Sequence, residues 1–148
     1  MKISKDLSWI REYIEEIHFI VPELRKLKRI SSRVPNKKLN TNQHCHGIIT
    51  KYYNGVDHRI TIYTKYLNMS LVSGKVELEI KPYSKIDTLC YIAHEIAHLR
   101  FWEHTPDHKS LEATIILIFM NRLKISGYKC EEDELSYYTN CRKLKEEK

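Results

Sequence analysis

Glycine and proline are scarce in this chain, with only 4 of each among 148 residues. That argues against long flexible linkers, and neither an internal repeat nor a low-complexity segment is present. Length and composition therefore predict a single domain, residues 1–148, built on one core. Cysteine is equally sparse. Cys45, Cys90, Cys130 and Cys141 stand apart with no C-x-x-C pair. This argues against a disulfide framework or a zinc ribbon and favours reduced thiols. Cys90 reads as a small core residue. No apolar run is long enough to span a bilayer; the strongest, Ile115 to Met120, is far too short. The first residues, Met1 to Leu7, lack the apolar centre of a signal peptide. Together these absences predict an intracellular protein with no membrane partner. Nothing in the sequence fixes its oligomeric state.

The remainder is an ordinary globular composition, 42% hydrophobic and 30% charged. Net charge is +6, with an uneven excess. Arg25, Lys26, Lys28, Arg29, Arg33, Lys37 and Lys38 fall within residues 25–38, and no acidic residue separates them. Such a run can neutralise the phosphates of a nucleic acid. The simpler reading is a solvated helix face and loop, because a modestly basic composition is common and no base-reading motif accompanies the run.

Leu7, Ile10, Ile14, Ile17 and Val21 recur at helical spacing and predict a helix over about residues 5–20. Pro22 interrupts it or starts a second short helix, whose buried face Leu24, Leu27 and Ile30 would continue. Val34-Pro35-Asn36 marks a loop. Residues 46–53 and 58–65 predict a hairpin closed at Asn54-Gly55. Leu67 to Ser73 reads as a loop. Val76-Glu77-Leu78-Glu79-Ile80-Lys81 alternates strictly and predicts a half-buried strand, ended by Pro82. Helices are then predicted over residues 84–102, 106–126 and 131–144. Thr105-Pro106 serves as the N-cap of the second, Gly127 stops it, and the third is acidic at its start and basic at its end. The order of one helix, three strands and then helices is an α+β pattern.

The chemistry concentrates in His94-Glu95-Ile96-Ala97-His98. On a helix, residues i and i+4 share one face about a turn apart, so the two imidazoles can grip one Zn²⁺. Glu95 lies roughly 100° around from His94 and can take a proton from water held at the metal. The surrounding helix is apolar nearly all round and predicted to be buried. Burying a carboxylate beside two imidazoles is costly unless they are paired or bound to metal. A catalytic zinc keeps three protein ligands and one open position. His104, just before the predicted N-cap, is the leading third ligand; His108 and Glu112 are the alternatives.

The segment from His94 to Pro106 resembles the SprT-like and YgjP-like zinc metallopeptidases, a group related to WLM and Spartan proteins. Their pattern is H-E-x-x-H, a short spacer, then a histidine, a small residue and a helix start. The resemblance covers about residues 86–113. It implies that His94, His98 and His104 bind zinc, that Glu95 is the catalytic base, and that the chain is a minimal, compact zincin-like domain. It also implies a link to DNA-associated protein substrates. The chain departs from the group at His108, where an aromatic residue is common, and carries no C-terminal zinc ribbon. Glu112-Ala113 is similar to the ImmA/IrrE-like peptidases, which would make Glu112 the third ligand. The interval from His98 is short for that group.

The sequence thus predicts a zinc-dependent peptidase acting on protein or peptide, with Tyr137, Tyr138 or His108 as candidate oxyanion donors. Strand 58–65 or 76–81 could align an extended substrate. The competing expectation is a non-enzymatic, basic nucleic-acid-binding module with a vestigial metal site. His44-Cys45-His46 looks metal-like, but neighbours on a strand point to opposite faces, so Cys45 cannot easily join the two imidazoles. His18 and His58 read as surface or partly buried residues.

Overall fold

The computed structural model describes residues 1–35, 47–51 and 56–125. The predicted helix 131–144, Asn54-Gly55, Tyr137, Tyr138, Lys37, Lys38 and the His44-Cys45-His46 tract lie outside the described residues, as do Cys130 and Cys141.

The chain is α+β. Strand β1 (Lys2–Ile3) leads into a 3-10 turn (Lys5–Ile10) and α1 (Arg11–Ile17), and a second 3-10 turn (Pro22–Lys26) precedes β2 (Leu27–Arg33). Then come β3 (Gly47–Lys51), β4 (His58–Tyr63), β5 (Lys65–Val72), β6 (Lys75–Pro82), α2 (Lys85–Ala97) and α3 (Pro106–Ile125). The periodic residues of the predicted N-terminal helix all face the core: Leu7, Ile10, Ile14, Ile17 and Val21 are at most 1% exposed. Only the middle of that stretch is α-helical; its start winds as 3-10.

Among the described residues, four strands form one sheet in the order β1-β2-β4-β3. The β1–β2 and β2–β4 pairs are parallel, and β3 runs antiparallel to β4. This corrects the expected three-stranded sheet in two ways. First, Leu27 and Ile30 belong to β2, not to a helix. Their three-residue spacing comes from a bulge. The register slips between Leu27 and Arg29, so Lys28 is the additional residue and both apolar side chains turn inward. Second, residues 76–81 never join this sheet. They pair with β5, the stretch expected to be a loop, in a separate two-stranded ribbon. Ser73 and Gly74 both have positive φ at its tip, as a two-residue type I′ turn requires. One face of the ribbon carries Leu67 opposite Ile80, Met69 opposite Leu78 and Leu71 opposite Val76. Met69, Leu71 and Val76 are more than 60% exposed, so β6 is not half-buried.

Ile30, Ile60 and Ile62 project from one face of the main sheet into the core. They meet Leu89, Ile92, Ala93 and Ile96 of α2, and α3 adds Ile115, Phe119 and Leu123. Each fully buried Ile or Leu is worth about 1.5–3 kcal/mol by removal from water. Tyr13 packs edge-on against Phe119, and Arg122 of α3 pairs with Glu12 and Glu16 of α1. Cys90 is a buried thiol within this core. No helix among the described residues is long and apolar enough to cross a membrane.

Candidate metal centre

Helix α2 starts at a built cap: the Ser84 hydroxyl accepts from the Asp87 backbone N–H at 3.1 Å. It ends earlier than the sequence predicts, at Ala97, and residues 98–100 form a turn. That early stop matters. A helix continuing to Trp102 would carry the chain away along its axis. Instead the chain doubles back, and His104 reaches the two histidines of α2. Arg100 holds this turn in place, donating to the Ile20 carbonyl at 2.6 Å and to both carboxylate oxygens of Glu23. Thr105 then caps α3 by accepting from the His108 N–H at 3.3 Å, with Pro106 at the first helical position as expected.

The Nε2 atoms of His94, His98 and His104 form a nearly equilateral triangle. The edges are 3.3 Å (His94–His98), 3.2 Å (His98–His104) and 3.2 Å (His104–His94). Three imidazoles ligating one zinc ion at the usual ~2.0–2.1 Å and tetrahedral angles place their nitrogens about 3.3 Å apart. The other ring nitrogens set the tautomers. His94 Nδ1 donates to Glu112 Oε1 at 2.7 Å, and His98 Nδ1 donates to the Phe101 carbonyl at 3.1 Å. Neutral rings that donate through Nδ1 turn lone pairs toward one another at Nε2. Facing lone pairs repel unless a cation lies between them, so the donor set fits a metal ion. Burial pushes the His98 pKa down, which keeps the ring in its neutral, ligating form.

His108 also approaches this group: ring nitrogens of His94, His98 and His108 lie within 4.8 Å of one another. The tighter triangle with His104 is the better donor set, because His108 Nε2 donates to the His94 carbonyl at 3.0 Å. The His108 ring lies against that of His98, with centroids 4.1 Å apart, and is 1% exposed. Burial lowers its pKa to about 4. It braces the site as a neutral ring, and with its N–H directed at the His94 carbonyl it is not placed to donate to an oxyanion. Glu112 is likewise behind the site. It binds the Nδ1 side of His94 and is 5% exposed, the position of a carboxylate that orients a metal-ligating histidine.

Glu95 is 6% exposed, and burial raises its pKa, partly offset by His94 and reinforced by Glu112. Its side chain runs along Gly47 of β3. A Cβ at Gly47 would sit 3.1 Å from Glu95 Cγ and 2.7 Å from Ile62 Cδ1. An added Cβ would force the Ile62 terminal methyl and Glu95 to shift, so the close approach of strand and carboxylate favours glycine there. Among the described residues, β3 is the terminal strand of the sheet on this side. The sequence offers 58–65 or 76–81 as the aligning strand; β4 is interior, paired with β2 and β3, whereas β6 pairs with β5 alone among the described residues.

His104 is exposed and His94 half-buried, so the triangle opens toward solvent on one side. Trp102, 46% exposed, borders that opening with its ring 6.3 Å from His98. His58 is buried, not at the surface, and its ring faces Trp102; His18 is exposed. Gly47, Arg100 and Trp102 carry no motif signal. Their roles come from packing between elements distant in sequence.

No protein-family model matches the chain, and neither a curated protein nor a solved structure matches it.

Proposed function

We propose that the chain is a zinc-dependent peptidase, with His94, His98 and His104 as the metal ligands and Glu95 as the general base. The observation that carries this reading is the Nε2 triangle with a buried carboxylate one residue along the same helix. A zinc ion bound there would polarise a carbonyl and lower the pKa of water toward 7. The chain's own residues supply the rest. Glu95, its pKa raised by burial, accepts a proton and returns it to the departing amine. Glu112 and the Phe101 carbonyl hold the His94 and His98 rings in the tautomer that ligates. β3 offers an extended polypeptide a strand edge beside Glu95, and Trp102 walls the opening with an apolar surface. Glu112 on the far ring nitrogen of His94 supports His104, not Glu112, as third ligand. A buried carboxylate beside the ligands has no use in a vestigial site, which favours an enzyme over a metal-binding scaffold.

Glu95→Gln keeps size and shape but removes the base. Zinc content and fold are expected to be near normal, with peptide hydrolysis falling by roughly 10²-fold or more. Full hydrolytic activity in that variant would refute the assigned role.

A further inference from the structure

The second face of the main sheet carries an independent feature. In the parallel β1–β2–β4 array, Ile3 aligns with Ile30 and Ile30 with Ile60 on the core side. The residues one position earlier therefore share the outer side. They are Lys2, Arg29 and Arg59, aligned directly across three neighbouring strands. All three are exposed. Strands lie about 4.8 Å apart, so the Cα atoms of these three cationic residues span about 10 Å. Two and four residues further along β2, Ser31 aligns with Thr61, and Arg33 aligns with Tyr63. The Arg33 guanidinium lies 5.9 Å from the Tyr63 ring centroid. Ile48, Thr50, Ser31, Thr61 and Tyr63 complete the face, and none of its described residues is acidic. Lys2, Arg29, Arg33 and Arg59 have no ion-pair partner among the described residues.

Like charges directly opposite on neighbouring strands are destabilising. An isolated surface arginine needs no explanation, but a row of three with no counter-charge among the described residues holds a cost that a polyanion would relieve. We infer that this face binds single-stranded nucleic acid. The cations would take up phosphates, the hydroxyls would reach phosphate or sugar oxygens, and Tyr63 with Arg33 would offer a stacking edge. A flat sheet face suits an extended strand, whereas a duplex groove is read by an inserted helix or ribbon. The structure also redraws the basic run of residues 25–38. Among the described residues of that run only Arg29 and Arg33 lie on this face, Lys28 pairs with Asp57 at 3.7 Å, and Lys2 and Arg59 join from elsewhere in the chain. This inference does not depend on the peptidase reading.

The test is fluorescence anisotropy of a labelled 20-nucleotide oligothymidylate with the full chain, titrated at several salt concentrations. The wild type is expected to bind at low salt with affinity falling steeply as salt rises. Arg29→Gln/Arg59→Gln should weaken binding about tenfold and flatten the log–log salt slope by about 1.4, at ~0.7 for each phosphate no longer neutralised. Arg29→Lys/Arg59→Lys should keep most of the binding. Lys65→Gln/Lys75→Gln, which removes the same charge from the ribbon, should change it less than twofold. Circular dichroism checks the fold; if the double glutamine variant does not fold, Lys2→Gln and Arg33→Gln carry the same comparison. No binding by the wild type at low salt overturns the inference. So does equal weakening by the ribbon variant, stronger binding to a duplex of the same length, or preference for phosphatidylserine vesicles over the oligonucleotide.

Discussion

The two faces of the four-stranded sheet are built from the same strands by alternation, yet they face opposite demands. The inner face presents Ile30, Ile60, Ile62 and Gly47 to α2, and there one added methyl at Gly47 would force Ile62 and Glu95 to shift. The outer face presents Lys2, Arg29, Arg59 and Arg33 to water, where side chains can be exchanged freely but like charges crowd. Rigidity is thus concentrated where, on the proposed reading, a proton would move between defined atoms. Charge is displayed where shape tolerance is an advantage. A substitution on the inner face should act on chemistry and stability together, and one on the outer face on long-range attraction with little effect on the fold.

That contrast sets the order of expected effects below the loss of hydrolysis in Glu95→Gln. Glu112→Ala removes the carboxylate that orients His94 and should weaken zinc affinity by about 10–100-fold, measured by competition with a chromogenic chelator. Unchanged affinity would mean that Glu112 does not position the ligand. Gly47→Ala should destabilise the protein by about 1–3 kcal/mol in urea unfolding, because Ile62 is fully buried and has little freedom to yield. It should also depress hydrolysis by displacing Glu95, without loss of zinc. Arg29→Gln/Arg59→Gln is the smallest. Relief of cross-strand repulsion should raise stability by about 0.2–1 kcal/mol. A loss of more than 1 kcal/mol there would show that the outer face contributes packing and erase the contrast.

Parts of this structure are legible in the sequence and parts are not, for physical reasons. Helical spacing from Leu7 to Val21, the β3–β4 pairing and the Thr105-Pro106 start of α3 rest on local patterns that survive tertiary packing. β2 reads as helix because its bulge converts a period of two into a spacing of three. β1 has only two residues, and parallel pairing leaves no turn signal to announce it. Reading residues 67–73 as a loop overlooks that Ser73-Gly74 closes a hairpin. At the site, His94, Glu95 and His98 follow from helix geometry alone. The contributions of Glu112, His108, Gly47 and Arg100 depend on how α3, β3 and the N-terminal segment close around α2. No spacing rule encodes that.

The central claim is that His94, His98 and His104 together hold one metal ion. It is tested most directly by measuring zinc stoichiometry by elemental analysis, after dialysis, in the wild type and in His104→Ala. One zinc per chain in the wild type, with sharply reduced retention in His104→Ala, is the predicted result. A wild type that retains no zinc, or a His104→Ala variant that keeps full zinc while Glu112→Gln loses it, would contradict the assignment.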